Sequence, residues 1–472
     1  MPRTRLIWTF IITSVAAFMV GLDNLVVTMA LPSIRSHLHA SLASLEWTIN
    51  AYTLSFAVLI ITGAALGDRF GRRRMLTIGL TVFTLASAGA ALAPNVTLLV
   101  VARAIQGAGA AAVLPLAFTI LASSVPAERR GAALGVLGGV SGLAVAVGPL
   151  VGGAVVQGAS WQWIFWINVP IGLLALPFAA TRLSETKARA HLDPLGLVLA
   201  SAGLFGIVFG LVKASDDGWT SLPVLGSILA GVVLMVAFTV WQDKAAHPML
   251  PLRFFRSRTF AASNVASLLF TFGMFGSIFL LAQFLQTALG YSPLEAGLRT
   301  LPWTAMPLLV APIAGPLSDR IGGRPFLVSG LALQAIGLAW MAALISPHIS
   351  YLALVAPFVC CGLGMALFFI PVANVVMGAV PAADQGMASG TNNAIRELGG
   401  VLGIAVLATV FASHGSYVSP ATFADGLRPA TWVGAAVVGV GALAAAAIPR
   451  RRRAASVGDE PLTEVMSGST YR

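Results

Sequence analysis

The stretch Leu66-Gly67-Asp68-Arg69-Phe70-Gly71-Arg72-Arg73-Arg74 interrupts a long apolar region with the densest charge cluster before the C-terminal tail. Only 10% of the residues in the chain are charged. A weaker copy, Leu317-Ser318-Asp319-Arg320-Ile321-Gly322-Gly323-Arg324, follows 251 residues later, with the Asp-Arg pair and a Gly at the same offsets. A repeat at this distance is typical of duplicated halves and not of a short-period solenoid.

The composition is that of a membrane protein. The chain has 472 residues, of which 57% are hydrophobic, whereas soluble proteins carry about 25% charged residues. Its apolar blocks are about 20 residues long, the length that a helix needs to cross a bilayer. We therefore expect an all-α polytopic fold with fourteen transmembrane helices. The predicted spans are 6–31, 47–67, 75–93, 97–122, 131–155, 161–180, 195–213, 223–241, 259–288, 297–317, 325–345, 351–377, 386–413 and 428–448.

The distribution of Lys and Arg predicts the orientation of these spans. With the N-terminus in the cytoplasm, 22 of the 28 basic residues fall in cytoplasmic segments, as the positive-inside rule requires. The outer segments then hold Arg35, Lys213, Arg299 and Arg428. The net charge of +11 would suggest nucleic acid in a soluble protein, but here it fixes topology. Both termini are predicted to be cytoplasmic.

The repeat also predicts the domain organisation. Asp68 follows span two and Asp319 follows span ten, so eight spans separate equivalent positions instead of six. The simplest division is a six-span half at 1–181, a two-span insert with polar linkers at 182–258, and a second six-span half at 259–448. A cytoplasmic tail, 449–472, follows.

Five segments combine charged, amide, Gly and Pro residues within the apolar blocks: Gly67–Arg74 between spans two and three, Leu22–Pro32 in span one, Arg103–Ala111 in span four, Gly148–Gly153 in span five and Trp161–Gly172 in span six. They resemble motifs of the major facilitator superfamily, and within it of the fourteen-span drug:proton antiporters. The resemblance covers nearly the whole chain, and the five motifs occur in the right order. It implies two six-helix halves plus two inserted helices, and the span-five motif implies an exporter.

The chain departs from the motifs of that family at four positions. Ala64 stands where the loop motif starts with Gly, and Asn24 replaces a small or hydroxyl residue. Gln162 and Glu397 stand where Arg and Gln are common, respectively.

Three charged residues inside spans are candidates for proton coupling: Asp23, Arg103 and Glu397. An intramembrane carboxylate is costly unless it is paired, neutral or hydrated. Burial favours its neutral form and a nearby cation its charged form, so Asp23 could change protonation during transport. The alternative is a buried polar group that only holds span one to span four. For Glu397, a structural pair between helices is nearly as plausible.

The remaining candidates are assigned by motif and depth. Span five contains Pro149 among glycines, which predicts a bent, closely packed helix. Polar groups near Arg103 and in span thirteen could line a cavity or join helices. The candidate gating residues are Asp68, Arg69, Gly71, Arg72, Arg73, Asp319, Arg320 and Arg324; the antiporter-helix residues are Gly148, Pro149, Gly152 and Gly153; the cavity residues are Gln106, Asn392, Asn393 and Arg396.

Several classes of chemistry have no motif in this sequence. There is no phosphate-binding G-x-x-x-x-G-K-[ST] loop, no H-E-x-x-H and no G-x-S-x-G, so neither ATP-driven transport nor an enzyme is expected. The adjacent Cys360 and Cys361 suit neither an ordinary disulfide nor a metal site. We expect no metal and no cofactor.

These observations predict proton-coupled export of hydrophobic, cationic or amphiphilic drugs across the bacterial inner membrane. Its partners would be small molecules, protons and lipid, without nucleic acid, and the protein would act as a monomer. An importer or facilitator of the same superfamily is the first alternative, against which the Gly148-Pro149 segment argues. A membrane sensor without transport is the second. A sensor should carry a sizeable soluble signalling domain, and since no loop exceeds about twenty residues, we do not expect this alternative.

Overall fold

The computed structural model describes residues 3–187, 192–381 and 384–449, and in these ranges the chain is helical throughout apart from turns and short connections. The predicted tail at 449–472 lies outside the described residues except for its first position. The helices are α1 Arg3–Leu38, α2 Leu42–Phe70, α3 Arg72–Ala91, α4 Val96–Ser124, α5 Ala127–Gly158, α6 Trp163–Trp166, α7 Asn168–Arg182, α8 Pro194–Asp217, α9 Leu222–Lys244, α10 Arg258–Gln283, α11 Pro293–Thr304, α12 Met306–Ile321, α13 Gly323–Leu344, α14 Tyr351–Gly378, α15 Gln385–His414 and α16 Pro420–Ala446.

Thirteen helical stretches in the described ranges are long and apolar enough to cross a membrane. The tenth predicted span, 297–317, is instead divided between α11 and α12, which meet at Ala305. Pro307 lies in the first turn of α12, where a missing N–H costs no helical hydrogen bond, and it disfavours helical geometry in the residue before it. The tenth span therefore consists of two shorter helices, and the predicted all-helical fold of about fourteen spans is confirmed.

Span six, predicted at 161–180, is present as the apolar stretch Trp163–Arg182. It contains a turn at Ile167, where α6 ends at Trp166 and α7 begins at Asn168. The first span was predicted to end at residue 31, but α1 continues to Leu38, so Arg35 lies in the last turn of the helix and not in a loop. The turn at Ile167 thus places Asn168 at the start of α7, and the longer α1 places Arg35 in its last turn.

The helices pack in two groups. Helices α1–α5 and α7 pack mainly on one another, as do α10 and α12–α16. Helix α11 packs mainly on α5 of the first group, while α8 packs on α9 and also touches α2 and α15. Neighbouring helices approach each other closely at small residues. This is expected in a bilayer, where the hydrophobic effect does not drive helix association. A Cβ at Gly152 of α5, for example, would lie 2.6 Å from the Val26 carbonyl oxygen of α1.

The two ends of the helices define two faces of the molecule. The Asp68 face carries the turns between α2 and α3 and between α12 and α13, and the Tyr417 face carries the turns between α1 and α2 and between α15 and α16. Gly71 (φ +118°) and Gly322 (φ +91°) form the two turns on the Asp68 face, in a backbone conformation that favours glycine. They are 251 residues apart, so the sequence repeat corresponds to a repeated helix–Gly–helix turn.

Candidate transport site

Asp23 lies at the centre of a fully buried polar network between α1, α3, α4 and α7. Its carboxylate accepts hydrogen bonds from Arg103 Nη1, from Gln106 Nε2 at 2.9 Å and from Asn168 Nδ2 at 3.0 Å. Ser87 Oγ accepts from the same two amide groups, at 3.0 Å from Gln106 and 3.1 Å from Asn168. The network therefore holds a negative charge inside the helix bundle by surrounding it with donors.

Arg103 balances that charge and is itself held by several contacts. Its Nε donates to the Thr48 carbonyl oxygen at 3.1 Å, and its Nη1 also donates to Gln106 Oε1 at 2.8 Å. The guanidinium lies 4.2 Å from the ring centroid of Tyr52, a cation–π contact. Breaking a buried ion pair by neutralising one partner costs about 3–5 kcal/mol. The Asp23–Arg103 pair therefore holds α4 to α1.

The sequence indicated Asp23, Arg103 and Gln106 but missed Asn168, Ser87 and Tyr52. Asn168 is the first residue of α7, and the turn at Ile167 directs it towards Asp23. The signal available was an amide in the apolar segment Trp161–Gly172, which also contains the amide of Gln162. Ser87 offered no signal, because one hydroxyl in a transmembrane helix usually bonds to its own backbone.

A second polar group lies on α15 and is not joined to Asp23 by a hydrogen bond among the described residues. Asn392 donates to Asn264 Oδ1 at 3.0 Å and to Ser267 Oγ at 2.9 Å, both on α10. Arg396 donates to Asn393 Oδ1 at 3.3 Å and lies 4.4 Å from the ring centroid of Phe369. Asn392 thus joins two helices, and its predicted role in a substrate cavity stays a prediction.

Glu397 is partly buried on α15, and its Oε2 has no hydrogen-bond partner among the described residues. Because consecutive helical residues project about 100° apart, Arg396 and Glu397 lie on different sides of α15. The role of Glu397 in proton coupling stays a prediction.

The Asp68 turn is held by two sets of contacts. Asp68 Oδ1 accepts from Arg72 Nε at 2.7 Å. The N-terminus of α3 is capped by Glu185, whose carboxylate accepts from the backbone N–H groups of Arg73 at 3.1 Å and Arg74 at 3.2 Å. This carboxylate satisfies donors that a helix start leaves unpaired. Glu185, in the linker after α7, was not predicted.

The equivalent turn uses a different contact. Arg324 donates through Nη2 at 2.7 Å and Nε at 3.2 Å to the Ala446 carbonyl oxygen at the end of α16. A cation at this position favourably meets the negative end of the helix dipole. Arg320 is exposed, and the side chain of Asp319 lies outside the described part of the chain. The gating roles of both turns stay predictions.

The glycine motif of α5 mediates its packing on two helices. Gly148 and Gly152 lie against Leu25 and Val26 of α1, while a Cβ at Gly153 would collide with the Pro293 carbonyl oxygen of α11. Thr304 Oγ1, at the end of α11, donates to the Ala146 carbonyl oxygen of α5 at 3.1 Å. This motif therefore lies where the two helix groups meet.

Contacts near the Tyr417 face join the two groups of helices. The Arg35 guanidinium of α1 lies 3.8 Å from the ring centroid of Tyr417, whose hydroxyl donates to Gln283 Oε1 at 2.6 Å. Gln286 Nε2 donates to the Met29 carbonyl oxygen at 3.1 Å. This side of the molecule is closed in the structure.

Comparison with known proteins agrees with this architecture. The sequence matches the Major Facilitator Superfamily over residues 13–250 and 263–467. The chain belongs to the Major Facilitator Superfamily. Members of this superfamily are transporters, and the many apolar helices make this member a multi-pass membrane protein.

Relatives of this superfamily member include antibiotic export and resistance proteins. It is 36% identical over 425 residues to the tetracenomycin C resistance and export protein of Streptomyces glaucescens, covering 89% of this chain and 79% of the relative. It is 36% identical over 460 residues to the lincomycin resistance protein of Streptomyces lincolnensis, covering 96% and 94%. A solved POT family transporter in complex with 5-aminolevulinic acid shares the fold at a TM-score of 0.69 and 14% identity, over 93% of this chain and 94% of that one.

Proposed function

We propose that this chain exports hydrophobic, cationic or amphiphilic drugs or antibiotics from a bacterial cell in exchange for protons. The proton-coupling part of the proposal is supported by the buried Asp23–Arg103 pair, because Asp23 is a titratable carboxylate inside the membrane and Arg103 is its cationic partner. The relatives named for antibiotic export support the choice of substrate class.

In this mechanism, residues 1–181 and 259–448 move as two halves around a central cavity. A proton that binds Asp23 removes the charge that holds Arg103, Gln106 and Asn168 in place. The network then rearranges, and α4 shifts relative to α1 and α7. Loss of the proton restores the network and returns the transporter to its first state.

The Asp68 face is assigned to the cytoplasm, because it carries Arg69, Arg72, Arg73 and Arg74 and cytoplasmic loops are rich in Lys and Arg. The membrane is assigned as the bacterial inner membrane. Both termini are then cytoplasmic, and the structure is closed towards the outside. The turns at Gly71 and Gly322 act as the cytoplasmic gate. The transporter works as a monomer in lipid.

The proposal is tested by expression in an efflux-deficient bacterial strain exposed to a panel of antibiotics and cationic dyes. We expect at least a fourfold rise in the inhibitory concentration of one or more compounds. The purified protein in proteoliposomes should then move those compounds against their gradient when a pH gradient is imposed. Transport without any dependence on the pH gradient would contradict proton coupling, and no resistance to any compound would contradict export.

A further inference from the structure

Two neighbouring charges in the middle of α15, Arg396 and Glu397, have no ion-pair partner in the described part of the chain, and they do not pair with each other. Arg396 Nε and Glu397 Oε2 are buried atoms without a hydrogen bond to any described residue. Asp23 and Arg103, in contrast, pair with each other. Charges inside membrane spans are costly unless they are paired or hydrated. The two charges of α15 therefore need partners that the described side chains do not supply.

Two uncharged contacts position the guanidinium of Arg396. Its Nη1 donates to Asn393 Oδ1 at 3.3 Å, and the group lies 4.4 Å from the ring centroid of Phe369 on α14. Asn393 precedes Arg396 by almost one turn, so the guanidinium leans towards the Asp68 face, where α15 begins. A guanidinium has five N–H donors, and only this one bond uses any of them among the described residues. The group therefore keeps donors for an anion.

Glu397 projects between α2 and α10. On one side of it, Leu398 and Val401 contact the apolar cluster that α15 shares with α2 and α8. On the other side, Gly399 and Gly403 pack against backbone carbonyl groups of α10. Glu397 points about 40° from Val401 and about 120° from Gly403 around the helix. Its carboxylate is therefore directed into the sector that separates the two neighbouring helices.

This sector of α15 opens towards the Asp68 face. Ile404 follows Glu397 by seven residues and so shares its direction, but it is 2% exposed and belongs to a core cluster with residues of α1 and α10. In the other direction, Gly390 is partly exposed, with Ile61 of α2 at 3.9 Å from its Cβ position, and Gly386 is exposed. Glu397, which is partly exposed, therefore lies near the closed end of the space between the helix groups.

Two aromatic rings flank these charges. Phe369 lies beside Arg396, and Phe275 of α10 lies against Gly400, where a Cβ would be 3.0 Å from the ring. Both phenylalanines are partly exposed. An apolar molecule can therefore be buried against these rings while its polar groups reach the two charges.

The charges themselves select a class of molecule. A cation bound to Glu397 would leave Arg396 unpaired, and an anion bound to Arg396 would leave Glu397 unpaired. An unpaired buried charge is strongly unfavourable. A molecule with an acidic and a basic group on one apolar scaffold pairs both charges at once.

We propose that Arg396 and Glu397 bind an amphoteric substrate, with its acidic group on Arg396 and its basic nitrogen on Glu397. The apolar body of the substrate lies against Phe275 and Phe369. The inference rests on the proposed function and narrows its substrate class to compounds that carry both charges.

Three dyes built on one ring system test this selectivity. Rhodamine 110 carries a carboxylate and a cationic ring system, rhodamine 123 is its methyl ester and is a cation, and fluorescein is an anion. Their Kd values for the purified protein in detergent at pH 7 are measured by fluorescence polarisation. We expect rhodamine 110 to bind at least about tenfold more tightly than either other dye, since it makes one more charge-assisted hydrogen bond. Rhodamine 110 binding no more tightly than the other two, or not at all, would overturn the proposal.

Two variants assign the two charges. Arg396→Gln should abolish the preference for rhodamine 110 over rhodamine 123 and keep its preference over fluorescein. Glu397→Gln should do the reverse. Arg396→Lys, which keeps the charge, should retain both preferences, and the matched controls Arg256→Gln and Asp243→Asn, at exposed positions, should bind all three dyes as the parent protein does. An equal loss of affinity for the three dyes in both glutamine variants would show a structural role and overturn the proposal.

This binding measurement needs neither a pH gradient nor transport. Export of compounds by a protein that shows no preference for rhodamine 110 would overturn the amphoteric site and leave the proposed function standing. A preference that follows Arg396 and Glu397 in a protein that confers no resistance would support the site and contradict export.

Discussion

Asn168 Nδ2 donates to Asp23 Oδ1 at 3.0 Å, across 145 positions of the chain. This contact makes α7 a third helix around the buried carboxylate, besides α1 and α4. Asn168 also bonds to Ser87 of α3, so a change in the charge of Asp23 is felt by four helices at once. The Asp23 network is therefore a junction of the N-terminal helix group and not only a pair of charges.

The contribution of this junction can be measured with Asn168→Ala. A hydrogen bond to a charged group contributes about 1.5–3 kcal/mol, so its loss should lower the rate of gradient-driven transport by about tenfold or more. Asn95→Ala is the matched control, because that exposed amide caps the start of α4, accepting from the Leu98 N–H at 2.9 Å, and lies outside the Asp23 network. Equal rates for Asn168→Ala and the control would show that Asn168 is not part of the coupling network.

Glu185 should stabilise the Asp68 turn by capping α3. Removing the carboxylate in Glu185→Ala leaves the N–H groups of Arg73 and Arg74 without this acceptor and costs about 1 kcal/mol. We expect a lower thermal midpoint in detergent for Glu185→Ala, and an intermediate one for Glu185→Gln, which keeps an acceptor but loses the charge. A midpoint equal to that of the parent protein in both variants would contradict the cap.

The contact of Arg35 with Tyr417 should favour the state that is closed at the Tyr417 face. Burial raises the pKa of the Tyr417 hydroxyl, so it stays protonated and donates to Gln283. An Arg35→Gln substitution removes a cation–π contact of about 1 kcal/mol, which shifts the open-to-closed ratio about fivefold. Tyr417→Phe keeps the ring and should shift it less.

This shift is measured as the labelling rate of a cysteine introduced at Gln286, which donates to the Met29 carbonyl across the same closed region. A membrane-impermeant maleimide applied from the Tyr417 face should react several times faster in the Arg35→Gln background. Unchanged labelling would mean that other contacts, such as Thr304 with Ala146, determine closure.

The linker before α8 predicts a specific acid sensitivity. Burial raises the pKa of Asp193, but hydrogen bonds from Trp241, Gln242 and the Gly196 N–H outweigh that effect and hold it below its usual range. Because the pKa of Asp193 is lower in the folded state than in the unfolded chain, its ionised carboxylate stabilises the folded state. This stabilisation is complete above about pH 4, the ordinary Asp pKa, and is lost as the pH falls further.

Tryptophan emission offers a readout of this transition. We expect no change attributable to Asp193 between pH 7 and 5, and a red shift as Trp241 loses its carboxylate partner below about pH 4. Asp193→Asn should lack this acid step, whereas Asp243→Asn, at an exposed position of α9, should keep it. A step centred near neutral pH that Asp193→Asn abolishes would contradict this assignment.

The sequence was sufficient for the spans and for part of the Asp23 network. Length, apolar blocks and the repeat around Asp68 predict helices, since twenty apolar residues have few other stable states in lipid. Asp23, Arg103 and Gln106 were identifiable because polar groups in such blocks are rare. Family resemblance supplied their grouping.

The rest depends on tertiary structure. The break between α6 and α7 directs Asn168 inwards, and nothing in local propensity fixes that direction. Glu185 lies in a linker with charges of both signs, so its pairing with α3 could not be chosen from sequence. The break at Ala305 was signalled by Pro302 and Pro307, but prolines also occur within continuous helices here, as Pro32 does in α1.

The central claim, that Asp23 carries the coupled proton, is tested most directly by Asp23→Asn in proteoliposomes. Substrate accumulation driven by an imposed pH gradient is compared with substrate exchange in the absence of a gradient, with Glu397→Gln assayed beside it and Asp243→Asn as control. We expect Asp23→Asn to lose at least about 90% of gradient-driven accumulation and to keep exchange, because a neutral amide cannot release a proton. Full-rate accumulation by Asp23→Asn, with unaltered dependence on the gradient, would contradict the assignment.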